Sequence, residues 1–218
     1  GHFAFVGAPG TGKTTVARVV GEILFSLGLL AKKTVVETSG LDLTGEYLGQ
    51  TKTKVTEKLK EALGGVLFID EAYELGKGTY GSEACSTLVA AMTDPKYSSL
   101  AIVMAGYPAD IMSMLDSNPG LKSRVNHFLE FPDWSPEDCA TYFIRACGEA
   151  GFSFEGTSDD GGRGGAERIK KELLLPAFEK LRQCNGWGNA RDVLQFLKLA
   201  KDSRATRLAA GFTDATSL

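Results

Sequence analysis

The chain has 218 residues, of which 43% are hydrophobic and 23% charged. That balance suits one large domain, or a domain with a small appendage, and excludes general disorder. A formal net charge of −3 supplies no basic field to hold nucleic acid or an anionic membrane surface, and the apolar runs fall far short of the ~20 residues that a membrane helix needs.

HFAFV, a short apolar strand, runs directly into GAPGTGKTT and an amphipathic helix in which Val16, Val19, Val20, Ile23, Leu24 and Leu27 recur at helical spacing. TVVET reads as the next strand, followed by GEYLGQ (45–50), whose flanking glycines mark a loop able to move. A helix over 51–63, the strand GVLFID, a helix over 82–93, the strand LAIVMAG, a helix from Pro108 and the strand HFLEF complete this half. Alternating strands and helices, with strands that are continuous apolar runs, predict a parallel sheet covered by helices on both faces.

After Phe131 only helices are expected, over 136–148, 166–182 and 189–208. The first opens on Ser135 and Pro136, an N-cap and first-turn pair. EGTSDDGGRGG, with five glycines, predicts a tolerated surface loop at 155–165. The expected organisation is therefore a nucleotide-binding α/β domain over 1–131 and a small all-helical lid over 132–218. Cys85, Cys139, Cys147 and Cys184 form no CxxC pair and are expected as buried free thiols in a reducing, intracellular compartment. No signal-peptide pattern opens the chain, and His2 and His127 are too few for an ordinary zinc site.

GAPGTGKT (7–14) fits G-x-x-x-x-G-K-[ST] between a strand and a helix, the context its chemistry requires. Gly7, Gly10 and Gly12 let the backbone of Gly7, Ala8, Pro9, Gly10, Thr11, Gly12, Lys13, Thr14 and Thr15 surround phosphate with inward-turned N–H groups, Pro9 itself having none. Lys13 reaches the β- and γ-phosphates and the Thr14 hydroxyl ligates Mg²⁺. GVLFIDEAY ends a buried strand on two carboxylates: Asp70 is placed to hold Mg²⁺ through water, and Glu71 to polarise a water against the γ-phosphate. Adjacent Asp and Glu imply hydrolysis as well as binding. The guanine-reading N-K-x-D motif is absent, so the expected activity is an ATPase using ATP and Mg²⁺.

The stretches GAPGTGKTTVARVV, DLTGEYLGQTKTKV, ALGGVLFIDEAYEL, MAGYPADI, LDSNPGLKSRV, EFPDWSPED and GWGNARDV run in order from residue 3 to about 195. As a set they resemble the AAA+ ATPases of the CbbX/CfxQ group, the red-type Rubisco activases and their sporulation-protein-like relatives. The resemblance implies that Arg124 is an arginine finger acting in trans in a homo-oligomeric, typically hexameric, ring. It implies that Arg191 is the lid arginine that contacts nucleotide in its own subunit. It also implies that Tyr47 and Leu48 line a central pore and grip a polypeptide client, an aromatic ring offering contact area without sequence preference. The function so implied is a chaperone that remodels a protein client, with Rubisco as one candidate and a plastid as the compartment in that case. A regulatory or scaffold module that binds ATP without productive remodelling is the rival, opposed by the intact Asp70, Glu71 and Arg124. A nucleic-acid motor is disfavoured by the acidic balance and the aromatic loop, and a membrane is not an expected partner.

Three departures from the family pattern stand out. The chain starts one strand before the phosphate loop, where the family carries an upstream segment that helps enclose adenine, so it reads as an excised domain. Gly106 stands where many relatives carry a polar residue that orients the attacking water, leaving Tyr107 or a backbone group for that task. The loop at 155–165 looks like an insertion.

Overall fold

A computed structural model describes residues 1–45, 47, 49–152 and 167–209. The loop expected at 155–165 and Leu48 lie outside the described residues. Two compact units emerge: Gly1–Ala8 with Gly12–Phe131, and Pro9–Thr11 with the chain from Pro132 onward.

The first unit is built on a five-stranded sheet: β1 (His2–Gly7), β2 (Val35–Ser39), β3 (Val66–Asp70), β4 (Ala101–Gly106) and β5 (Val125–Phe131), in the spatial order β2-β3-β4-β1-β5. Every pairing is parallel, with Val6 opposite Gly106, Phe68 opposite Val103 and Ser39 opposite Asp70. Strand residues alternate between two cores, as the period of two requires. Phe5, Val66, Phe68, Val103 and Ala105 enter one; Ala4, Val6, Leu67, Ile69, Ile102 and Met104 enter the other. Helix α1 (Lys13–Ser26) covers the first face through Ala17, Val16, Val20 and Leu24. On the second face lie α3 (Gln50–Glu61), α4 (Gly78–Ala91), α5 (Pro108–Ser117) and the short α6 (Pro119–Lys122), contributing Val55, Leu59, Leu88, Ile111 and Leu121. The expected parallel sheet with helices on both sides is what the chain forms.

Several local expectations need correction. Val19, Ile23 and Leu27 are exposed: of the two i, i+4 apolar series, Val16, Val20 and Leu24 pack toward the sheet beside the buried Ala17 and Gly21, and the second series, displaced around the helix, misses it. Helix α4 starts four residues earlier than expected, at Gly78, and the short α2 (Gly40–Leu43) is stabilised by a capping box in which Ser39 and Asp42 exchange hydrogen bonds. Of the four cysteines, Cys85, Cys139 and Cys147 are buried but Cys184 is exposed. Burial pushes each of the three buried thiols up to about 11, which makes them poor nucleophiles.

The second unit packs α7 (Pro136–Glu149), α8 (Leu175–Leu181) and α9 (Ala190–Ala209) around Phe143, Phe178, Val193 and Leu197. Its aromatic rings meet edge-on or tilted, Phe143 and Phe196 at 5.3 Å and Phe178 and Phe196 at 5.7 Å. The helix expected over 166–182 is not uniform: Lys170–Leu174 widen into a π turn just before Pro176. Pro176 cannot donate to the carbonyl four residues back, and its ring crowds that carbonyl, so the wider turn makes room.

Helix α7 begins with a capping box: the Ser135 hydroxyl accepts from the Asp138 N–H at 3.0 Å, and the Asp138 carboxylate accepts from the Ser135 N–H at 3.1 Å. The Ser135 hydrogen bonds hold the Asp138 carboxyl below its ordinary 3.8. A depressed carboxyl pKa stabilises the fold above the unfolded value, and that stabilisation is lost as pH falls through the folded value. Ser135→Ala should therefore cost about 1 kcal/mol at neutral pH and less in acid. Both tryptophans of the chain, Trp134 and Trp187, pack in this unit, so urea melts followed by tryptophan fluorescence at neutral and at acid pH would show the difference.

Candidate functional site: a phosphate loop with paired carboxylates

The carboxyl ends of β1, β4 and β3 lie side by side in the sheet. Such a row at the ends of parallel strands is where ligands bind in open α/β sheets. Residues 7–14 leave β1 there. Lys13 opens α1 and its ammonium donates to the carbonyls of Gly7 at 2.9 Å and Ala8 at 2.8 Å. Gly12, at φ 101°, is the N-cap of α1 and offers no side-chain acceptor, and no acidic residue occupies the first turn. The first amides of this 14-residue helix and its positive dipole end therefore suit an anion. Thr14 is half-buried in that first turn and Thr15 is exposed.

Asp70 ends β3, two strands away from β1, so about 10 Å of sheet separates it from Gly7, room for phosphate oxygens, a hydrated cation and an attacking water. Asp70 Oδ1 accepts from the N–H of Glu71 at 3.0 Å. Glu71 itself adopts φ 47°, ψ 39°, a left-handed conformation that a residue with a Cβ avoids unless its surroundings impose it. Gly40 leaves room for this turn: a Cβ on it would sit 2.6 Å from the Glu71 carbonyl oxygen. The turn separates two adjacent carboxylates, both exposed at the strand end.

Between β1 and β3, β4 ends at Gly106. A Cβ there would fall 2.9 Å from the Tyr73 ring and 3.0 Å from Ile111, so the room for a side chain at 106 is already filled by the aromatic residue that follows the Asp-Glu pair. Burial, helped by the Glu71 and Glu74 carboxylates, pushes the Tyr73 phenol up. Its ring lies 6.3 Å from that of Tyr107, the N-cap of α5.

Arg124 precedes β5 and is half-buried. Its hydrogen bonds to the described residues both use Nη1, to the Gly120 carbonyl at 2.8 Å and the Ser123 hydroxyl at 3.1 Å; Nε and Nη2 remain for a partner outside them. Arg191 is the second residue of α9 and its side chain is exposed. Tyr47 is 71% exposed on a loop pinned at its base. The buried Thr51 hydroxyl accepts from the Gly45 N–H at 2.9 Å, and Lys54 donates to the Thr44 carbonyl at 2.8 Å. The structure thus gathers the phosphate loop, Asp70 and Glu71 in the first unit, apart from Pro9–Thr11, which fall with Arg191 in the second.

Residues 3–133 match the profile of the family described as ATPase family associated with various cellular activities. This chain belongs to the AAA ATPase family. It is similar to the CfxQ homolog of Guillardia theta, 47% identical over 212 residues covering 95% of this chain and 68% of that one. It is also similar to the CfxQ homolog of Galdieria sulphuraria, 36% identical over 211 residues covering 95% of this chain and 65% of that one. The chain thus spans about two thirds of the length of these relatives. Among solved structures, the AAA fold is matched by a Thermotoga maritima RuvB mutant with a TM-score of 0.55, 20% identity and coverage of 91% of this chain and 62% of that one. The nucleotide-binding fold of an AAA ATPase accounts for the parallel sheet and the phosphate loop; no helix among the described residues is long and apolar enough to cross a membrane.

One buried polar cluster of this AAA ATPase lay beyond sequence reasoning. In the second unit Asn189, fully buried at φ 51°, donates to the Pro9 carbonyl at 3.2 Å and to Asp133 at 2.9 Å. Its Oδ1 accepts from the Trp134 N–H at 2.8 Å and from Trp187 Nε1 at 3.2 Å. All four hydrogen-bonding positions of the amide are in use. The one available signal was an Asn between Gly188 and Ala190 at a helix start, in the stretch that drew notice only for Arg191.

Proposed function

We propose that this AAA ATPase hydrolyses ATP with Mg²⁺ in a homo-oligomeric ring of six subunits and uses the turnover to remodel a protein client. In this reading residues 1–131 are the nucleotide-binding domain and residues 132–218 the lid. The amides of Gly7–Thr15 other than Pro9, with the Lys13 ammonium, hold the phosphates. Thr14 and, through water, Asp70 hold the magnesium ion, which when bound neutralises charge on the transferred phosphoryl group. Glu71 accepts the proton of the attacking water, and Arg124 enters the neighbouring subunit's site. Arg191 contacts the nucleotide of its own subunit.

The observation that carries the hydrolytic reading is the pairing of Asp70 with a Glu71 held at φ 47°. A backbone conformation that costs of order 1–3 kcal/mol is retained where a site depends on it. Residues fit the nucleotide as well: an uncapped helix N-terminus and a lysine beside the loop carbonyls suit a polyphosphate. No group of three or more His, Cys, Asp or Glu among the described residues could hold a metal ion by itself; a magnesium ion that shares its shell with phosphate and water requires none.

For remodelling, the support is Tyr47. A tyrosine this exposed, on a loop whose base at Thr44 and Gly45 is hydrogen-bonded to α3, is available to a partner. Leu48 is proposed as its companion in the grip. The client is proposed as a polypeptide segment, with Rubisco a candidate through the CfxQ resemblance, and a plastid the compartment in that case. Tyr47→Ala should leave ATP hydrolysis within about twofold, since the side chain is exposed and is not among the proposed phosphate-site residues, and abolish client remodelling; an exposed aromatic typically anchors such contacts. The measurement is ATP turnover alongside client reactivation in one preparation. Remodelling that survives the substitution removes the gripping role.

A further inference from the structure

We infer that Asn189, Trp134 and the start of helix α9 orient the tip of the phosphate loop, turning its peptide planes so that the amides face the phosphates. The inference rests on the reading of residues 7–14 as a phosphate site and assigns it three further positioning elements.

Three successive carbonyls form the tip, and each accepts a hydrogen bond from a different donor of the second unit. Pro9 O accepts from Asn189 Nδ2 at 3.2 Å. Gly10 O accepts from the Ala190 N–H at 3.1 Å. Thr11 O accepts from the Trp134 indole N–H at 3.3 Å. In a planar trans peptide the carbonyl of one residue and the N–H of the next point in opposite directions. Fixing the three carbonyls therefore fixes the N–H groups of Gly10, Thr11 and Gly12 on the opposite side. Gly10 and Gly12 both have positive φ, 71° and 101°, which alternates the backbone as an anion-binding nest requires. Convergent amides repel one another, so such a nest needs its carbonyls held from behind.

The fit at Gly10 shows how closely the donors press. A Cβ there would lie 2.0 Å from the Gly188 carbonyl oxygen, so no other residue could accept the Ala190 bond in this geometry. Asn189 is buried with every donor and acceptor engaged and at an unfavourable φ, the signature of a side chain retained for position and not for helix stability. Asp133 accepts its second N–H and so fixes which way the amide faces. Two of these residues stand in DW at 133–134 and two in NA at 189–190, far from the loop in sequence.

The test uses two substitutions of unequal severity in the full chain. Trp134→Phe keeps an aromatic ring beside Tyr142, where the indole now packs at 5.1 Å, and loses only the indole bond to Thr11. Asn189→Gly relieves the positive φ while removing the bond to Pro9. With a single hydrogen bond worth about a factor of five, Trp134→Phe should raise the Kd for fluorescently labelled ADP about fivefold, and Asn189→Gly by tenfold or more. The KM for ATP should rise in parallel, with kcat at saturating ATP kept within about twofold, because the tip holds substrate and transition state alike. A purely structural role would lower the folded fraction and kcat with Kd unchanged, and that pattern overturns the inference. Wild-type Kd in a folded Trp134→Phe protein overturns it too, and this variant decides alone where Asn189→Gly does not fold. Wild-type protein that fails to bind labelled ADP overturns instead the phosphate-site reading on which the inference stands.

Discussion

Glu71→Gln is expected to leave nucleotide binding intact and to lower ATP turnover by about 10² to 10⁴-fold, the range for losing a general base. The amide matches the carboxylate in size, so the turn at φ 47° and the Asp70 Oδ1 bond to the residue 71 N–H should persist. Asp70 keeps its carboxylate for the magnesium ion, and Lys13 keeps its place against the loop. What disappears is the ability to take a proton from water. Removing one negative charge near the γ-phosphate should tighten ATP binding slightly. Phosphate release under steady state, with the Kd of a labelled nucleotide measured in parallel, gives both quantities. Turnover at the wild-type rate would take Glu71 out of catalysis, and lost binding would mean that its role is structural. Retained binding without turnover also bears on the scaffold alternative: such a module would show negligible turnover before the substitution is made.

How much of this was legible beforehand depends on how local each determinant is. Continuous apolar runs in β1, β3 and β4, and the glycine and lysine spacing of residues 7–14, are properties of contiguous residues, and they led to a parallel sheet and a phosphate loop. The distribution of residues around α1 is not local. Val16 and Val19 are equally apolar, but which series meets the sheet depends on the helix's rotation against Phe5 and Phe68, and Val19 came out exposed. The π turn at Lys170–Leu174 was hidden because a proline at a helix start and a proline within a helix read alike until the boundary is known.

The candidate site divides along the same line. Asp70 and Glu71 were legible as a pair, whereas the left-handed backbone that separates them, with its carbonyl packed against Gly40 on another element, was not. Gly106 looked like a missing polar residue; the structure gives it a packing reason, the Tyr73 ring. The Asn189 cluster joins residues 9, 133, 134 and 187 to 189, and no periodicity connects them. A fully buried amide with four partners cannot be told in sequence from a solvated asparagine at a helix start.

Arg124→Ala should reduce ATP turnover by about 10³-fold or more, the contribution of an arginine supplied to the phosphoryl-transfer transition state. Among the described residues Arg124 spends only Nη1, on Gly120 and Ser123. Nε and Nη2 thus stay available to a neighbouring subunit, and loss of the side chain should cost the fold little. The sharper experiment mixes this variant with Glu71→Gln. Each variant alone is expected to be nearly inactive, for different reasons. If Arg124 acts across a subunit boundary, a mixed ring contains interfaces where the intact Glu71 of an Arg124→Ala subunit meets the intact Arg124 of a Glu71→Gln subunit. Such sites are whole, so turnover should reappear and rise to a maximum near equal mixing. If Arg124 served its own subunit, every site in the mixture would carry one defect and mixing would restore nothing. Full activity of the Arg124→Ala protein as a monomer would dispense with both the boundary and the ring. The recovery curve therefore reports directly on whether the guanidinium and the carboxylate that complete one site come from one chain or two.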